Sequence, residues 1–313
     1  MELSQIYQLQ EHALGISSLA YDEEKGILYS GSLDKTIKIW DLNINKDNSI
    51  GTPKLLNSIN AHKKWITDIL FIKKYSTLFS SSLDKTIKIW ENKANTLYCD
   101  LSLESHLDYV QKLFYLEKSN QLISTGFDCQ IIFWDLKYFH ILSSIDEYNS
   151  PILSISCTEN ELTLFLGTFD SKIILWDLKM NEEKMFLRGE GPIMDLKFIS
   201  NQNLLVGIDN YGGIFGWDIN NIKLLFSKQL EEPLNSLEIF QNDGRFFLIL
   251  GGTNLYIYSI SPVQEILKIP AHEDKIESIK LIKIEQYKTQ APKYYIISGS
   301  LDKTIKIWQL KNV

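Results

Sequence analysis

The sequence predicts an all-β fold built from seven equivalent units of four short antiparallel strands, and repetition carries this prediction. The nine residues Ser-Leu-Asp-Lys-Thr-Ile-Lys-Ile-Trp occur three times without a change, at 32–40, 82–90 and 300–308. An aromatic residue ends each copy, and looser copies place Trp or Tyr at 40, 90, 134, 176, 217, 258 and 308. The intervals between these positions are 50, 44, 42, 41, 41 and 50 residues, which indicates seven copies of one unit.

Each copy contains four segments with the character of a β-strand. The first carries apolar residues at i, i+3 and i+5, as in Ile16, Leu19 and Tyr21, and its odd first step indicates a bulge. A short apolar run follows, the nonapeptide supplies the third strand, and segments such as 55–59 or 96–101 supply the fourth. Both faces of the third strand carry large side chains. Four short strands cannot cover both faces, whereas sheets stacked around a ring cover one another.

The ends of the chain predict how this ring closes. We expect a single domain over 1–313, with repeats at about 12–59, 62–101, 106–145, 148–187, 189–229, 231–269 and 272–313. The last repeat has too few residues after Trp308 for a fourth strand. The alternating segment 4–10 precedes the first repeat, and it is expected to supply that outer strand to the seventh unit.

Composition excludes several classes of partner and compartment. The net charge is −7 and the estimated pI is 5.4, so no global positive field favours nucleic acid or anionic lipid. The three cysteines form no CxxC motif, which fits a reducing compartment. We find neither a signal peptide nor an apolar run long enough to cross a membrane. We expect a cytoplasmic protein, with a nuclear location as the alternative.

Four copies share His, Ser, Asp and Trp in a fixed order. The sets are His12, Ser30, Asp34 and Trp40; His62, Ser80, Asp84 and Trp90; His106, Ser124, Asp128 and Trp134; and His272, Ser298, Asp302 and Trp308. One reading is a hydrolase triad. The other is a structural hydrogen-bond network, which we favour because catalysis needs one privileged copy and Trp has no role in a triad.

No other catalytic or ligand-binding motif is present. The histidines belong to different repeats without metal-ligand spacing, and no phosphate-binding GxxxxGK[ST] or G-x-S-x-G motif occurs. The sequence therefore predicts no enzyme activity, no cofactor and no metal ion.

These motifs resemble the WD-repeat (WD40) β-propeller family over the whole chain. The residues that carry the resemblance are His12 with Trp40-Asp41, His62 with Trp90, His106 with Trp134-Asp135, Trp176-Asp177, Trp217-Asp218, and His272 with Trp308. The resemblance implies a seven-bladed β-propeller of four-stranded antiparallel blades, closed by the N-terminal strand, with each tetrad fixing the turns of its blade. Blade four departs from the pattern, since Tyr148 and Leu166 replace His and Ser. Blade five keeps Asp209 and Trp217, and blade six has lost the tetrad.

The resemblance also implies a binding surface. The residue three after each His and the residue before each Asp belong to the family's wide top face. The candidate partner-binding residues on blades two to four are Trp65, Leu83, Leu107, Tyr109, Phe127 and Phe169. For the leucines directly before the Asp, such as Leu83, we favour simple packing of the turn, and for Trp65, Tyr109 and Phe127 we favour a partner site. Insertions at 43–54 and 285–293 are a second candidate surface on the opposite face, with tolerated surface insertions as an equal alternative.

The predicted function is a non-enzymatic scaffold that binds other proteins or peptide motifs on the top face, as a monomeric propeller within a complex. Direct nucleic-acid binding and membrane insertion are not expected. The alternative is a structural subunit of a larger assembly, such as a coat, a ribonucleoprotein or a cytoskeletal or ciliary array. A ubiquitin-ligase substrate receptor is less favoured. The family's adaptor motif has Arg two residues after Trp-Asp, where this chain has Asn43, Lys137, Lys179 and Asn220.

Overall fold

The chain folds as an all-β, seven-bladed propeller of four-stranded antiparallel sheets, as predicted. The computed structural model describes residues 1–285 and 292–311. The backbone divides into two compact units, which we describe separately: 1–102 with 238–313, and 103–237. The organisation of the whole chain as one domain stays a prediction.

The strands run in chain order, and four make each blade. Strand β1 is Glu2–Leu9. Blade one contains β2 (Ile16–Asp22), β3 (Ile27–Ser32), β4 (Thr36–Asp41) and β5 (Lys54–Asn60). Blade two contains β6 (Ile66–Ile72), β7 (Thr77–Ser82), β8 (Thr86–Lys93) and β9 (Thr96–Glu104). Blade three contains β10 (Val110–Leu116), β11 (Gln121–Gly126), β12 (Ile131–Asp135) and β13 (Ile141–Ile145). Blade four contains β14 (Ile152–Cys157), β15 (Thr163–Thr168), β16 (Lys172–Asp177) and β17 (Glu182–Arg188).

The remaining strands complete blades five to seven. Blade five contains β18 (Ile193–Ile199), β19 (Leu204–Asp209), β20 (Gly213–Asp218) and β21 (Lys223–Gln229). Blade six contains β22 (Ser236–Asn242), β23 (Arg245–Gly251), β24 (Asn254–Ile260) and β25 (Val263–Pro270). Blade seven contains β26 (Ile276–Ile284), β27 (Lys293–Ser300) and β28 (Ile305–Lys311) together with β1. Two short 3₁₀ turns, Lys73–Tyr75 and Ser200–Gln202, join the first two strands of blades two and five.

The first strand completes the last blade, which confirms the predicted closure. The strand order in this sheet is β1-β28-β27-β26, and β1 pairs antiparallel with β28. The strand covers Glu2–Leu9 rather than 4–10, because Glu2 and Leu3 already pair with Lys311 and Leu310. The outer edge of blade seven is therefore built from residues at the opposite end of the sequence.

The bulge predicted at the start of the first strand is present. In blade one the pairing of β2 with β3 shifts between Ile16 and Ser18, and equivalent shifts occur in blades two to five and seven. The shift lets the first apolar residue turn toward the preceding blade. Ile16 lies against Gly299 of blade seven, where an added Cβ would come within 2.7 Å of its Cγ2 atom. A small residue is therefore required at that position.

In the first unit, apolar side chains fill the space between neighbouring blades. One buried cluster joins blades one and seven through residues such as Ile16, Trp40, Tyr295 and Ile307. Further clusters join blades one and two, and blades six and seven. Because both faces of each strand carry large apolar groups, stacking of sheets removes both faces from water.

The second unit repeats this packing in blades three to five. One cluster joins blades three and four and another joins blades four and five, with Trp176 in the first and Trp217 in the second. Side-chain hydrogen bonds also link consecutive blades, since Thr125 donates to the Ile152 carbonyl at 3.2 Å and Ser154 donates to the Ile193 carbonyl at 3.0 Å. The starts of consecutive inner strands are therefore held side by side.

The pairing of β1 with β28 predicts the effect of removing the first strand. A chain that lacks residues 1–9 leaves the backbone of β28 unpaired along its edge, so it should melt at a lower temperature and self-associate. A synthetic peptide of residues 1–10 should restore the melting temperature, whereas a scrambled peptide should not. Thermal unfolding followed by circular dichroism measures both effects. An unchanged melting temperature in the shortened chain would contradict a structural role for β1.

Candidate functional site

The structure joins each predicted His, Ser, Asp and Trp set into one buried network. The Trp Nε1–H donates to the Ser Oγ at 2.9, 2.8, 2.8 and 2.9 Å in blades one, two, three and seven. The Ser Oγ lies 2.8, 2.7, 2.8 and 2.7 Å from the His Nε2 in the same order. The His Nδ1 lies 2.9, 3.0, 2.8 and 2.8 Å from the Asp Oδ2.

The chemistry of the four groups fixes the direction of these hydrogen bonds. Trp is only a donor, so the Ser oxygen accepts its hydrogen bond and the Ser hydroxyl donates one to the His Nε2. Because Nε2 is an acceptor, the imidazole is neutral, and its Nδ1–H donates to the Asp carboxylate. The four serines, Ser30, Ser80, Ser124 and Ser298, have no exposed surface. A substrate cannot reach such an oxygen, so this geometry favours a structural hydrogen-bond network over a catalytic nucleophile.

The aspartate ties the network to the backbone of the adjoining loop. Its Oδ2 atom accepts the backbone N–H of the residue after the His, at 2.9 Å from Ala13, 2.9 Å from Lys63, 2.8 Å from Leu107 and 3.1 Å from Glu273. The loop that enters each blade is therefore held against the turn that contains the aspartate.

Sequence reasoning missed a fifth member of the network. Thr36, Thr86 and Thr304 donate their hydroxyls to Oδ1 of the aspartate two residues earlier, at 2.6, 2.7 and 2.6 Å. The signal was available, because this Thr belongs to the nonapeptide, and blade three, which lacks that exact repeat, has Gln130 instead. The threonine completes the carboxylate's hydrogen bonding.

Burial sets the protonation of these groups. Burial lowers the pKa of His62 and of His272 below the ordinary value of 6.5, although Asp84 and Asp302 act in the opposite direction. Burial alone would raise the pKa of Asp34 and Asp84, but the hydrogen bonds from the histidine and threonine outweigh it and hold both below the ordinary range. The favoured state is a neutral imidazole beside an ionised carboxylate.

Blades four and five replace the network in different ways. In blade four the Tyr148 ring lies edge-on to Trp176, with centroids 6.3 Å apart, and the buried Nε1 of Trp176 has no partner in residues 1–285 and 292–311. The reason is that Leu166 occupies the serine position. In blade five the buried Asp209 accepts backbone N–H groups of Gly191 and Gly213 at 3.0 and 2.7 Å. Backbone donors thus take the place of the missing histidine.

A backbone hydrogen bond joins the two positions at which we predicted partner-binding residues. In blade two of the first unit, Leu83 donates its N–H to the Trp65 carbonyl at 2.9 Å. The Trp65 side chain is 47% exposed, whereas Leu83 is half-buried. The turn therefore displays one large aromatic ring to solvent, and a binding role for either residue stays a prediction.

The second unit has the same arrangement on three consecutive blades. Phe127 donates its N–H to the Tyr109 carbonyl at 2.8 Å, and Phe169 donates to the Pro151 carbonyl at 2.9 Å. The Tyr109 and Phe127 rings lie 6.0 Å apart. Exposed fractions are 71% for Leu107, 39% for Phe127, 55% for Phe169 and 61% for Tyr211. We call Leu107, Tyr109, Phe127, Phe169 and Tyr211 the aromatic patch.

Sequence reasoning omitted Tyr211 from this set. From the sequence we expected an extra residue in blade five, but Asp209 pairs with Ile193 as Ser32 pairs with Ile16 in blade one, so the turn has the same length and Tyr211 occupies the position of the tetrad aspartate. Its ring covers Gly191, where an added Cβ would lie 2.8 Å from the ring atoms. The joining of Trp65 and Leu83 with the residues of the second unit into one surface stays a prediction.

The insertion at 43–54 packs into the first unit. Ile44 and Ile50 form an isolated antiparallel bridge, Ile50 is buried, and the Asp47 carboxylate pairs with the Lys293 ammonium at 2.9 Å. The two predicted insertions therefore approach one another at Asp47 and Lys293. Residues 286–291 of the second insertion lie outside the described residues. The contacts of the first insertion indicate a structural contribution to blade seven.

Other chemical groups are dispersed. In the described ranges, no group of three or more His, Cys, Asp or Glu side chains could hold a metal ion. Cys99, Cys129 and Cys157 are free thiols. Two cavities of about 300 and 380 Å³ in the first unit are lined by mixed charges that include Glu23 and Lys73. Over the same described ranges, no helix has the length and apolar character needed to cross a membrane.

Blade four provides a matched control for the energy of the network. Replacing Trp90 with Phe leaves the buried Ser80 without its indole donor and should destabilise the chain by about 1–3 kcal/mol. Replacing Trp176 with Phe removes a donor that already lacks a partner, so the loss should be clearly smaller. Urea unfolding of the two variants measures the difference. Equal losses would show that packing, and not the hydrogen bond, is the source of the stability.

The histidines predict a fall in stability with falling pH. The folded pKa of His62 and His272 lies below 6.5, so between that value and the folded pKa the unfolded chain binds protons that the folded chain does not. The depressed aspartate pKa values add a second loss, as the pH falls from about 4 through the folded pKa. Urea midpoints from pH 8 to 5 should decline more steeply in the natural chain than in His62→Asn. The exposed His140→Asn variant should show the same change of urea midpoint with pH as the natural chain. If the midpoints of the natural chain and of His62→Asn differ by the same amount at every pH, this account is contradicted.

Comparison with known proteins gives a match to one family model. Residues 3–41, 53–91 and 263–309 match the model described as WD domain, G-beta repeat. Each match contains one copy of the nonapeptide and spans four consecutive strands: β1 to β4, β5 to β8, and β25 to β28. No curated protein matches the chain. The chain therefore contains three matched WD40 repeats, and its seven four-stranded sheets form a β-propeller fold.

Proposed function

We propose that this chain is a non-enzymatic interaction scaffold that binds partner proteins or peptide segments through the exposed residues of its turns. The single observation that carries the proposal is the aromatic patch, in which large apolar side chains stand exposed at equivalent turns of three consecutive blades. Exposed apolar groups concentrated in this way on a soluble protein mark interaction sites. Trp65 offers a comparable anchor in the first unit.

The rigidity of these turns supports the proposal. Phe127 and Phe169 each belong to a turn whose backbone is bonded to the incoming loop. Aromatic side chains have few rotatable bonds, so a partner that covers them loses little conformational entropy. Such residues commonly supply most of the binding energy of an interface. The fold alone names no partner, and it is the exposed side chains that favour this function.

The buried tetrads argue against the competing enzymatic reading. Four copies of the same network serve four blades, each serine is fully buried, and each serine oxygen already accepts a hydrogen bond from the Trp indole N–H. The histidine has no exposed nucleophile to activate. The tetrads therefore stabilise the turns, and the exposed side chains of the turns are the groups available to bind a partner.

A pair of double variants tests the proposal. Phe127→Ala with Phe169→Ala removes two anchors of the aromatic patch, whereas Tyr138→Ala with Leu162→Ala removes two exposed residues at the opposite end of the same unit. Quantitative mass spectrometry after affinity purification should show about tenfold less of specific partners with the first variant and no loss with the second. Trp65→Ala tests the first unit in the same way.

Both double variants should keep the natural melting temperature, because all four side chains are at least partly exposed. Retention of every partner by the folded Phe127 and Phe169 variant, and by Trp65→Ala, would overturn the proposal.

A further inference from the structure

We propose that the second unit binds a protein segment in which a lysine or arginine side chain stands next to an apolar one. The cation would enter an acidic cavity in blade four, and the apolar group would pack on Phe169 of the aromatic patch. This inference rests on the proposed function and names the chemistry of the partner.

The cavity combines negative charge with a suitable size. It has a volume of about 180 Å³ and is lined by the carboxylates of Glu147, Asp170 and Glu183, with Lys172 as the one cation among its lining residues. Lys172 pairs with Asp170 at 2.8 Å. The lining therefore keeps an excess of two negative charges, which favours a cationic side chain over a neutral or acidic one.

The cavity arises from the departure of blade four from the tetrad pattern. In the four tetrad blades the aspartate side chain is 4–9% exposed and bonded to His, whereas Asp170 is 40% exposed. Tyr148 occupies the histidine position, so it offers Asp170 no imidazole N–H. Asp170 instead accepts from Thr168 at 2.6 Å and from Lys172. A carboxylate that is internal elsewhere thus faces a cavity here.

Tyr148 forms part of the wall of this cavity beside Glu183. Burial, followed by the negative charge of Glu183 and a hydrogen bond to its carboxylate, raises the pKa of the Tyr148 hydroxyl, so this side chain stays neutral. The negative charge of the lining therefore comes from the carboxylates alone. A guanidinium or ammonium group would neutralise them.

The apolar part of the proposed partner is indicated by the neighbouring turn. Phe169 directly precedes Asp170, and its ring is 55% exposed. Phe127 and Tyr109 occupy the equivalent turn of blade three, which packs against blade four. A side chain next to the cation in the bound segment would therefore meet an aromatic surface. This arrangement places an apolar anchor beside an electrostatic one.

The loops at this end of the unit share the same sign of charge. The loops that enter blades three to five and the loop that leaves blade five carry six exposed or half-exposed acidic residues: Asp108, Asp146, Glu147, Glu190, Glu231 and Glu232. The basic residues of the same loops and turns are Lys172 and Arg188. Such a field favours a positively charged partner and speeds its association, and salt should weaken both effects.

The test selects peptides without assuming a partner. Random 12-residue peptides displayed on phage are selected on the immobilised full chain at pH 7 and low salt. The leading peptide is then synthesised with a fluorescein label and measured by anisotropy. The proposal expects basic residues beside apolar ones, and binding that weakens as salt is raised.

Matched charge variants then locate the site. Glu147→Gln with Glu183→Gln should weaken binding about tenfold. Glu117→Gln with Glu159→Gln removes the same charge at the opposite end of the unit and should leave binding unchanged. All four residues are exposed, so melting temperatures are expected to match.

The outcomes separate this inference from the proposed function. Suppose that the selected peptides bind Phe127→Ala with Phe169→Ala weakly, but either lack basic residues or bind the Glu147 and Glu183 variant as tightly as the natural chain. That result would overturn the cation site and leave the proposed function in place. If the peptides bind both variants as tightly as the natural chain, or if the selection enriches no peptide, the result counts against the inference and against the proposed function. Loss of binding in both variants, with the opposite-end control unaffected, supports the inference.

Discussion

A buried chain of hydrogen bonds, from the Trp indole through Ser and His to the Asp carboxylate, fixes the geometry on which the exposed surfaces depend. The aspartate also accepts the backbone N–H of the incoming loop, as Asp128 does from Leu107. In each tetrad blade, the loop that enters the blade and the turn that contains the aspartate are therefore held by the same buried carboxylate. Because the groups are buried, each hydrogen bond is expensive to lose, and the turn has little freedom to adopt another shape.

The same backbone conformation recurs at the tip of the turn while its side chain changes. The residue after the aspartate is left-handed in blade one, three and four alike, with φ of 73° at Lys35, 62° at Cys129 and 69° at Ser171. In blade five Gly212 takes a left-handed φ of 93° at the equivalent position, five residues before Trp217 as Lys35 is before Trp40. A framework that fixes the backbone internally leaves the outward side chains free to vary. This separation explains how one repeat can present lysines on some blades and aromatic rings on others.

The sheets could be predicted from the sequence because their signals are local and repeated. The bulge followed from the step between Ile16 and Leu19, and the closing strand followed from a final repeat that was one strand short. The acidic cavity could not be predicted in this way. Glu147 and Glu183 are far apart in sequence, and only the folded chain brings them beside Asp170. The packing of Ile50 into the first unit likewise depends on a tertiary contact with Tyr295.

Blade four shows what the loss of a buried network costs and what it makes possible. The Trp176 indole keeps its place through packing alone, since its N–H has no acceptor among the described residues. That orphaned donor is a stability penalty that the other blades avoid. The change that creates it also turns Asp170 outward, beside an exposed Phe169. Departures from a stabilising pattern are expected where a surface serves another purpose, and here an incomplete network adjoins an acidic cavity.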